Sequence, residues 1–360
     1  MTEPPEPPTP HPRWRDPQTL HTLQAVASAL LIAVTGWFLL QQLASILRPL
    51  LIAIFLAYVL MPYHSRWRKK VGPASSLLLL GGATAAAVVV VGLVVYASAL
   101  GVQDELPRLQ ARAVDLTRAA DAYLGAHAPW AQSHKEGEKP AEERLAEQLS
   151  VVAKPLLALA AGALVEACVV ALYLMFLLLG ASRFPDKVRA AYAPDRAAEI
   201  LQIAGQVNSA IVSYLRAKVR SSLFLAVPVG VVLAACGVKF ALLWAILTFL
   251  CNFIPYVGSV VAFALPVGFA FLQLDADWRP FAAAGLVMAC HLVSASVVEP
   301  MLIGNAVGLS PLVVLGSLAF WGLLWGIPGM FLAVPLTVVA VIVLGNFEPT
   351  RPLAKLVSEG

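Results

Sequence analysis

Two long apolar runs in the C-terminal third, each interrupted by proline and glycine, constrain the fold of this chain most. Residues 241–274 contain Asn-Phe-Ile-Pro-Tyr-Val-Gly at 252–258, and residues 311–345 contain Gly-Ile-Pro-Gly at 326–329. Each run is nearly twice the roughly 20 residues that one bilayer-crossing helix needs. Proline removes a helix hydrogen bond and glycine permits a sharp reversal. We therefore predict a helix break in the middle of each run.

Such breaks have a functional implication inside a membrane. Backbone groups released from a helix cannot face lipid, so they are buried in protein or line a wet cavity. Paired breaks in two similar segments are typical of transporter binding sites. We expect the two breaks to face each other near the midplane. Both contain an Ile-Pro pair, Ile254-Pro255 and Ile327-Pro328, but their spacings differ, so an internal duplication stays open.

Composition indicates an all-α polytopic membrane protein. Apolar residues make up 59% of the 360-residue chain and charged residues 13%, whereas soluble domains average about 25% charged residues. We predict about eight transmembrane helices, including broken or re-entrant segments in the C-terminal half. Whether each broken segment crosses twice or re-enters is left open. The formal net charge is only +4, and the cations flank apolar segments as in cytoplasmic loops, which argues against nucleic acid.

Charge and hydropathy divide the chain into segments. Basic runs at 66–70 and 183–220 indicate cytoplasmic loops. Both termini are therefore predicted to lie in the cytoplasm. The predicted segments are a proline-rich disordered cytoplasmic tail (1–24), transmembrane helices (25–100), a polar, partly helical extracytoplasmic insertion (101–154), a transmembrane helix (155–180), a cytoplasmic amphipathic helix (181–220), a transport core with both breaks (221–345) and a cytoplasmic tail (346–360).

Few polar residues lie inside the apolar segments, and these are the candidates for a substrate or ion pathway. An ionisable side chain within a bilayer is costly and is a functional candidate by default. The pathway candidates are Asn252, Glu299, Asn305, Glu166 and His291. For Glu166 the alternative is a position at the headgroups, for His291 a hydrogen bond to a carbonyl, and for Glu299 an interfacial ion pair. The residues expected to shape the broken backbone are Pro255, Gly258, Pro328 and Gly329.

The chain also resembles a known family. The motifs that carry the resemblance are the first break, Glu299-Pro300, Gly308-Leu309-Ser310-Pro311-Leu312, the second break and Ala333-Val334-Pro335-Leu336. In this order they resemble the autoinducer-2 exporter-like (AI-2E) transporter family over roughly residues 25–345. Ser259 and Met301 stand where members commonly have proline and lysine. The resemblance implies a bacterial cytoplasmic-membrane permease that forms homo-oligomers. It also points to a signalling molecule, or to sodium/proton exchange, as the cargo.

We therefore expect a secondary transporter for a small polar solute or signalling molecule, or for a monovalent cation in exchange for protons. The expected partners are membrane lipids, the solute or ion, and further copies of the chain. No cofactor, metal or catalytic residue is predicted, apart from H⁺ or Na⁺ as coupling ion. The alternatives are a membrane scaffold without transport and a passive channel. An intramembrane enzyme is disfavoured because HExxH, GxSxG and paired intramembrane aspartates are missing from the sequence.

Overall fold

The computed structural model describes residues 17–127, 162, 165–180, 184–275, 277–303, 308–352 and 354. Within these ranges the chain is helical and contains no β-sheet, which confirms the all-α prediction. The helices are α1 (Pro17–Gln42), α2 (Ala44–Val71), α3 (Pro73–His127), α4 (Val165–Gly180), α5 (Phe184–Ala191), α6 (Pro194–Ala235), α7 (Ala241–Cys251), α8 (Val257–Gln273), α9 (Arg279–Val293), a π-helical turn (Ser294–Val298), α10 (Glu299–Ile303), α11 (Pro311–Trp325) and α12 (Ile327–Gly345).

The long helix α6 organises the interior. It contacts α2, α5, α7, α9, the π-helical turn, α10 and α12. One core cluster packs α6 against α7, α8 and α9 around Val229 and Leu233, and a second packs it against α2 and α12 around Ile211 and Leu215. The predicted boundary between a surface helix and the transport core, at 220/221, lies inside this continuous helix. Functional side chains on α6 are therefore held by contacts along its whole length.

Both predicted helix breaks are present. The first separates α7 from α8 at residues 252–256, and the second separates α11 from α12 at Gly326. The positive φ angles at the breaks are 62° at Tyr256 and 68° at Gly326. At Tyr256 the backbone makes a γ-turn, in which the Val257 N–H donates to the Pro255 carbonyl at 2.7 Å. This conformation is strained for a residue with a side chain.

A glycine in the first turn after each break lets the two flanking helices approach closely. A Cβ atom on Gly258 would lie 1.7 Å from the Cys251 carbonyl oxygen, and one on Gly329 would lie 2.0 Å from the Trp321 carbonyl oxygen. The two breaks therefore share one construction, a glycine packed on the carbonyl of the preceding helix. This shared geometry explains why both breaks carry glycine at these positions.

The membrane-spanning pattern is less uniform than eight similar helices. Five helices among the described residues are long and apolar enough to cross a bilayer, or six if the bent pair α4–α5 is one span. Four further apolar helices are shorter, and they include α7, α8 and α11. The count of eight is thus not confirmed. Large apolar side chains such as Leu31, Leu312 and Leu323 are 70–80% exposed, as expected for a surface that faces lipid.

Two helices continue through regions that the sequence suggested were loops or segment ends. Helix α2 runs to Val71, through the basic stretch at 66–70. Helix α3 has 55 residues and carries Pro107 without ending. At the turn before α9, Asp277 accepts hydrogen bonds from the backbone and side chain of Arg279. The Arg279 hydrogen bonds hold the pKa of the Asp277 carboxyl below its usual range.

One hydrogen bond ties the second break to the N-terminal helix. The Trp325 indole Nε1 donates to the Leu40 carbonyl at 3.0 Å, and Trp325 is 3% exposed. We expect Trp325→Phe to destabilise the protein by about 1 kcal/mol, because the partly buried Leu40 carbonyl loses this donor. Trp278→Phe is the matched control, since that side chain is 73% exposed. In thermal unfolding in detergent, the midpoint of Trp325→Phe should be lower than that of the wild type, and that of Trp278→Phe should not. Equal midpoints for the two variants would refute a stabilising role for the Trp325–Leu40 hydrogen bond.

Candidate functional site

A buried polar stripe runs along one face of α6. Lys218, Ser221 and Ser222 are at most 5% exposed, and their spacing of three and four residues puts them on one side of the helix. Arg216 and Arg220 on the same helix are exposed. Buried polar groups need partners. The partners of this stripe come from the first helix break and from the π-helical turn.

The charged member of the stripe is paired. Lys218 Nζ lies 2.7 Å from Glu299 Oε1, and the two side chains are 6% and 32% exposed respectively. Lys218 is therefore sealed in protein, whereas the carboxylate keeps one open side. The attraction between the two charges is stronger than in an exposed pair, because the dielectric constant around the buried lysine is lower than that of water.

The π-helical turn presents Glu299 to α6. The Glu299 N–H bonds to the Ser294 carbonyl five residues earlier, which is the hydrogen-bond pattern of a π-turn. Pro300 follows directly, and its ring would clash with the carbonyl of the preceding turn in a regular α-helix. Widening the helix before Pro300 relieves this clash. Such π-turns occur frequently at functional sites.

Asn252, the residue that ends α7, forms the second contact. Its Nδ2 donates to Ser222 Oγ at 3.0 Å and to Ser221 Oγ at 3.3 Å, and Asn252 is 4% exposed. Ser221 Oγ in turn donates to the Lys218 carbonyl at 3.2 Å. The first helix break is thereby bonded to α6 within one turn of the ion pair.

Contacts along α6 fix the register of its neighbours. Lys218 on α6 meets Glu299, and just beyond the end of α6 Gly237 approaches the Arg279 side chain, so α9 and the π-helical turn run antiparallel to α6. The π-helical turn, which contains Ser294, contacts α6 directly. The π-helical turn and the first break therefore meet α6 at the same level.

Three further hydroxyls near this level lack a protein partner. Tyr214 Oη, Thr248 Oγ1 and Ser294 Oγ are buried, and none of them makes a hydrogen bond within the described part of the chain. Thr248 precedes Asn252 by one helical turn, and Tyr214 precedes Lys218 by one turn. Buried hydroxyls without partners are uncommon and need water or a ligand. The site, which we call the α6 polar cluster (Tyr214, Lys218, Ser221, Ser222, Thr248, Asn252, Ser294 and Glu299), thus has unused hydrogen-bonding capacity.

The structure brings two of the predicted pathway residues together. Glu299 and Asn252 both bind the polar stripe of α6, one turn apart. His291 instead packs its ring against Phe263 of α8. Glu166 lies at the start of α4, whose buried side chains pack against α2, and the described contacts do not join it to the cluster. Asn305 lies outside the described residues.

Sequence reasoning missed Lys218, Ser221 and Ser222. The surplus of arginine and lysine around Lys218 favoured a cytoplasmic loop, and that surplus hid one lysine on the inner face. A signal was present, because the apolar helical period of residues 203–215 continues into the next apolar segment with Lys218 in phase. A lysine at a buried position of such a period requires an acidic partner.

The first break contacts the beginning of α12, the helix that follows the second break. The Phe253 ring stacks on the Phe331 ring with centroids 4.7 Å apart. Ile254 shares a buried cluster with Ala333 and Leu318. The residues that follow Asn252 in the first break are thus apolar, and they pack against the start of α12. The first break and the start of α12 are thus packed together.

Chemically, the α6 polar cluster offers one carboxylate, one ammonium, an amide and five hydroxyls. A carboxylate open on one side can take a proton or a small cation, and hydroxyls and an amide can bind a polar solute. Among the described residues no group of three or more His, Cys, Asp or Glu side chains could hold a metal ion.

Comparison with known proteins agrees with this chemistry. A family model described as AI-2E family transporter matches residues 27–348. The "Putative transport protein YhhT" of Escherichia coli (strain K12) is 29% identical over 357 residues, covering 98% of this chain and 97% of that protein. A Haemophilus influenzae "Putative transport protein" is 40% identical over 154 residues, 43% of this chain and 44% of that protein.

A third relative has a more specific name. The "AI-2 transport protein TqsA" of Escherichia coli (strain K12) is 33% identical over 188 residues, which is 52% of this chain and 54% of that protein. The matches to TqsA and to the Haemophilus protein thus span about half of each relative, whereas the match to YhhT is nearly complete. Since the family model covers most of the sequence, this polytopic membrane protein belongs to the AI-2E transporter family.

Proposed function

We propose that the protein is a secondary transporter of the bacterial cytoplasmic membrane whose transport site is the α6 polar cluster. The observation that carries this proposal is the ion pair Lys218–Glu299, with a buried lysine and a partly exposed carboxylate, one turn from a helix break that Asn252 bonds to α6. Charged groups inside membrane segments mark ion and substrate pathways. A helix break beside them provides the local mobility that alternating exposure needs.

In this proposal Glu299 takes the coupling ion, H⁺ or Na⁺, on its exposed side. The amide and hydroxyls of Asn252, Ser221 and Ser222 bind a small polar solute, and the name of TqsA makes a signalling molecule the first solute to test. The first break moves together with the start of α12, because Phe253 stacks on Phe331. We also propose that both chain termini lie in the cytoplasm, which the basic runs at 66–70 and 183–220 favour, and that the protein assembles with copies of itself.

A second candidate is exchange of a monovalent cation for protons without a solute. The ion pair itself favours this candidate, because a carboxylate already occupied by an ammonium group is a site built for a cation. The two candidates differ in what crosses the membrane together with the cation. They share the requirement for the Glu299 charge.

Flux in proteoliposomes tests the proposal. We expect the wild type to transport autoinducer-2 or ²²Na⁺ under an imposed proton or sodium gradient. Glu299→Gln should lower that flux at least about tenfold, since a loss of roughly 1.4 kcal/mol in ion binding corresponds to a factor of ten. Flux is compared at equal amounts of monodisperse protein, so that loss of folded protein does not count as loss of transport.

Glu105→Gln is the matched control. Glu105 also pairs with a lysine, at 2.6 Å from Lys239, but this pair lies beyond the C-terminal end of α6 and Lys239 is 45% exposed. Its flux should stay within about twofold of wild type, since exposed pairs contribute little. Equal flux in Glu299→Gln and wild type, for whichever probe is transported, would refute the cluster as the transport site.

A further inference from the structure

Lys218 is the buried partner of the ion pair, and the proposed function assigns a task to Glu299 but none to this lysine. Among the described residues Lys218 donates to one carboxylate oxygen, Glu299 Oε1, and it is the less exposed partner of the pair. A cation from solvent therefore reaches the pair through Glu299 and not through Lys218. An ion arriving there meets a carboxylate whose charge is already neutralised.

A second position for the ammonium group lies within reach. The Asn252 Nδ2 is committed to Ser221 and Ser222, which leaves the Asn252 amide oxygen as an acceptor one helical turn from Lys218. A lysine side chain is long and flexible enough to span one turn. The unpartnered Ser294 hydroxyl, on the π-helical turn that contacts α6, is another buried acceptor near the ion pair.

From these two observations we infer that Lys218 is a tethered competitor for Glu299, which binds the carboxylate when the site is empty and moves to the Asn252 amide oxygen when a monovalent cation binds. This inference rests on the proposed function and assigns the residue that sets cation affinity. The empty site is electrically neutral because the lysine neutralises the carboxylate. A bound cation transfers the lysine to the residue beside the first helix break.

The exchange links ion occupancy to the break. Asn252 ends α7, directly before the residues that separate α7 from α8. When the Asn252 amide oxygen accepts a hydrogen bond from the Lys218 ammonium group, the hydrogen bonds at the end of α7 change as the cation binds Glu299. Lys218 is thus a positioning residue. Its change of partner couples cation binding at Glu299 to the backbone at the end of α7.

Cation binding to the purified protein tests the inference without requiring transport. The probe is Na⁺, titrated by calorimetry against the full-length wild type and Lys218→Met in detergent. We expect Lys218→Met to bind Na⁺ at least about tenfold more tightly, because its carboxylate no longer has an internal counterion; a factor of ten corresponds to roughly 1.4 kcal/mol. Glu299→Gln should abolish binding. Lys239→Ala, which loses an exposed ion-paired lysine, should match the wild type.

Two further variants examine the second position of the lysine. Asn252→Leu should weaken Na⁺ binding about tenfold when Lys218 is present, because the displaced ammonium group then lacks its acceptor. In the Lys218→Met background the same substitution should change the Na⁺ Kd less than about twofold. Equal effects in both backgrounds would show that Asn252 acts on Na⁺ directly, and would overturn the two-position arrangement.

A cavity variant guards against misfolding of Lys218→Met. In Lys218→Ala the space left by the side chain should admit n-propylammonium, which should raise the thermal midpoint of this variant and leave that of Lys218→Ala/Glu299→Gln unchanged. Weaker or equal Na⁺ binding in Lys218→Met, or no Na⁺ binding in any variant, would overturn the inference. Lysine-dependent Na⁺ binding without flux in proteoliposomes would instead refute the proposed function and leave this inference intact.

Discussion

Gly258→Ala is expected to destabilise the protein by at least about 3 kcal/mol, or to prevent its folding. The added methyl group would lie 1.7 Å from the Cys251 carbonyl oxygen and 3.3 Å from the Ile254 Cβ. The clash is with backbone, so no side-chain rotation relieves it, and α8 must separate from α7. Overpacking at fully enclosed positions typically costs about 1–3 kcal/mol and more where backbone must shift.

Gly329→Ala should behave in the same way at the second break. Its methyl group would lie 2.0 Å from the Trp321 carbonyl oxygen and 3.0 Å from the Trp325 Cβ. The matched controls are Gly268→Ala in α8 and Gly316→Ala in α11, where a Cβ atom meets nothing within 4 Å. Helical propensity alone should make these controls neutral or slightly stabilising, because alanine is the better helix former.

Thermal unfolding in detergent, together with the yield of monodisperse protein, measures all four variants. We expect both break variants to lose most of their folded yield and both controls to retain it. Break variants with wild-type midpoints would mean that α7 and α8, or α11 and α12, are farther apart than described. The shared construction of the two breaks would then be refuted.

The second large effect concerns the asymmetry of the ion pair. Glu299→Gln leaves an ammonium group whose side chain is 6% exposed, whereas Lys218→Met leaves a carboxylate that is 32% exposed. Removing one partner of a buried pair typically costs about 3–5 kcal/mol because the other charge stays buried. We expect about 3 kcal/mol for Glu299→Gln. For Lys218→Met we expect roughly half of that, since water can reach Glu299.

The double variant Lys218→Met/Glu299→Gln tests the cause. It contains no uncompensated charge, so it should be more stable than Glu299→Gln alone. The control cycle uses Lys239 and Glu105, whose exposure predicts a coupling below about 1 kcal/mol. Additive costs at Lys218 and Glu299, measured as unfolding free energies in detergent, would contradict a close contact between the two charges.

The parts of the fold that local chemistry determines could be predicted from the sequence. Proline and glycine act on their own turn, so the breaks at 252–258 and 326–329 follow from residue type. The intramembrane carboxylate Glu299 and the polar Asn252 followed from the cost of such groups in lipid. Family membership followed from the order of motifs along the chain.

The missing parts depend on contacts between distant segments. Lys218 and Glu299 are 81 residues apart, so a count of local charges assigned the lysine to a loop. The π-helical turn at Ser294–Val298 depends on Pro300 and on packing against α6, and apolar periodicity does not reveal it. The number of membrane crossings also could not be derived from the sequence, because apolar length does not distinguish a spanning helix from a short one such as α7.

Access of water to the α6 polar cluster from each side of the membrane is the most direct test of the central claim. Ser222→Cys replaces a fully buried side chain of the polar stripe. Phe224→Cys, two residues later, replaces a side chain that is 64% exposed on the opposite surface of α6. Both are made in a background in which the native cysteines are replaced, namely Cys168, Cys236, Cys251 and Cys290.

A membrane-impermeant methanethiosulfonate reagent is then applied to either side of the membrane in separate experiments. The account predicts that Ser222→Cys reacts from both sides and loses flux when modified, whereas Phe224→Cys reacts from neither because it faces lipid. Reaction of Ser222→Cys from one side only, or from neither, would contradict a transport pathway through this cluster.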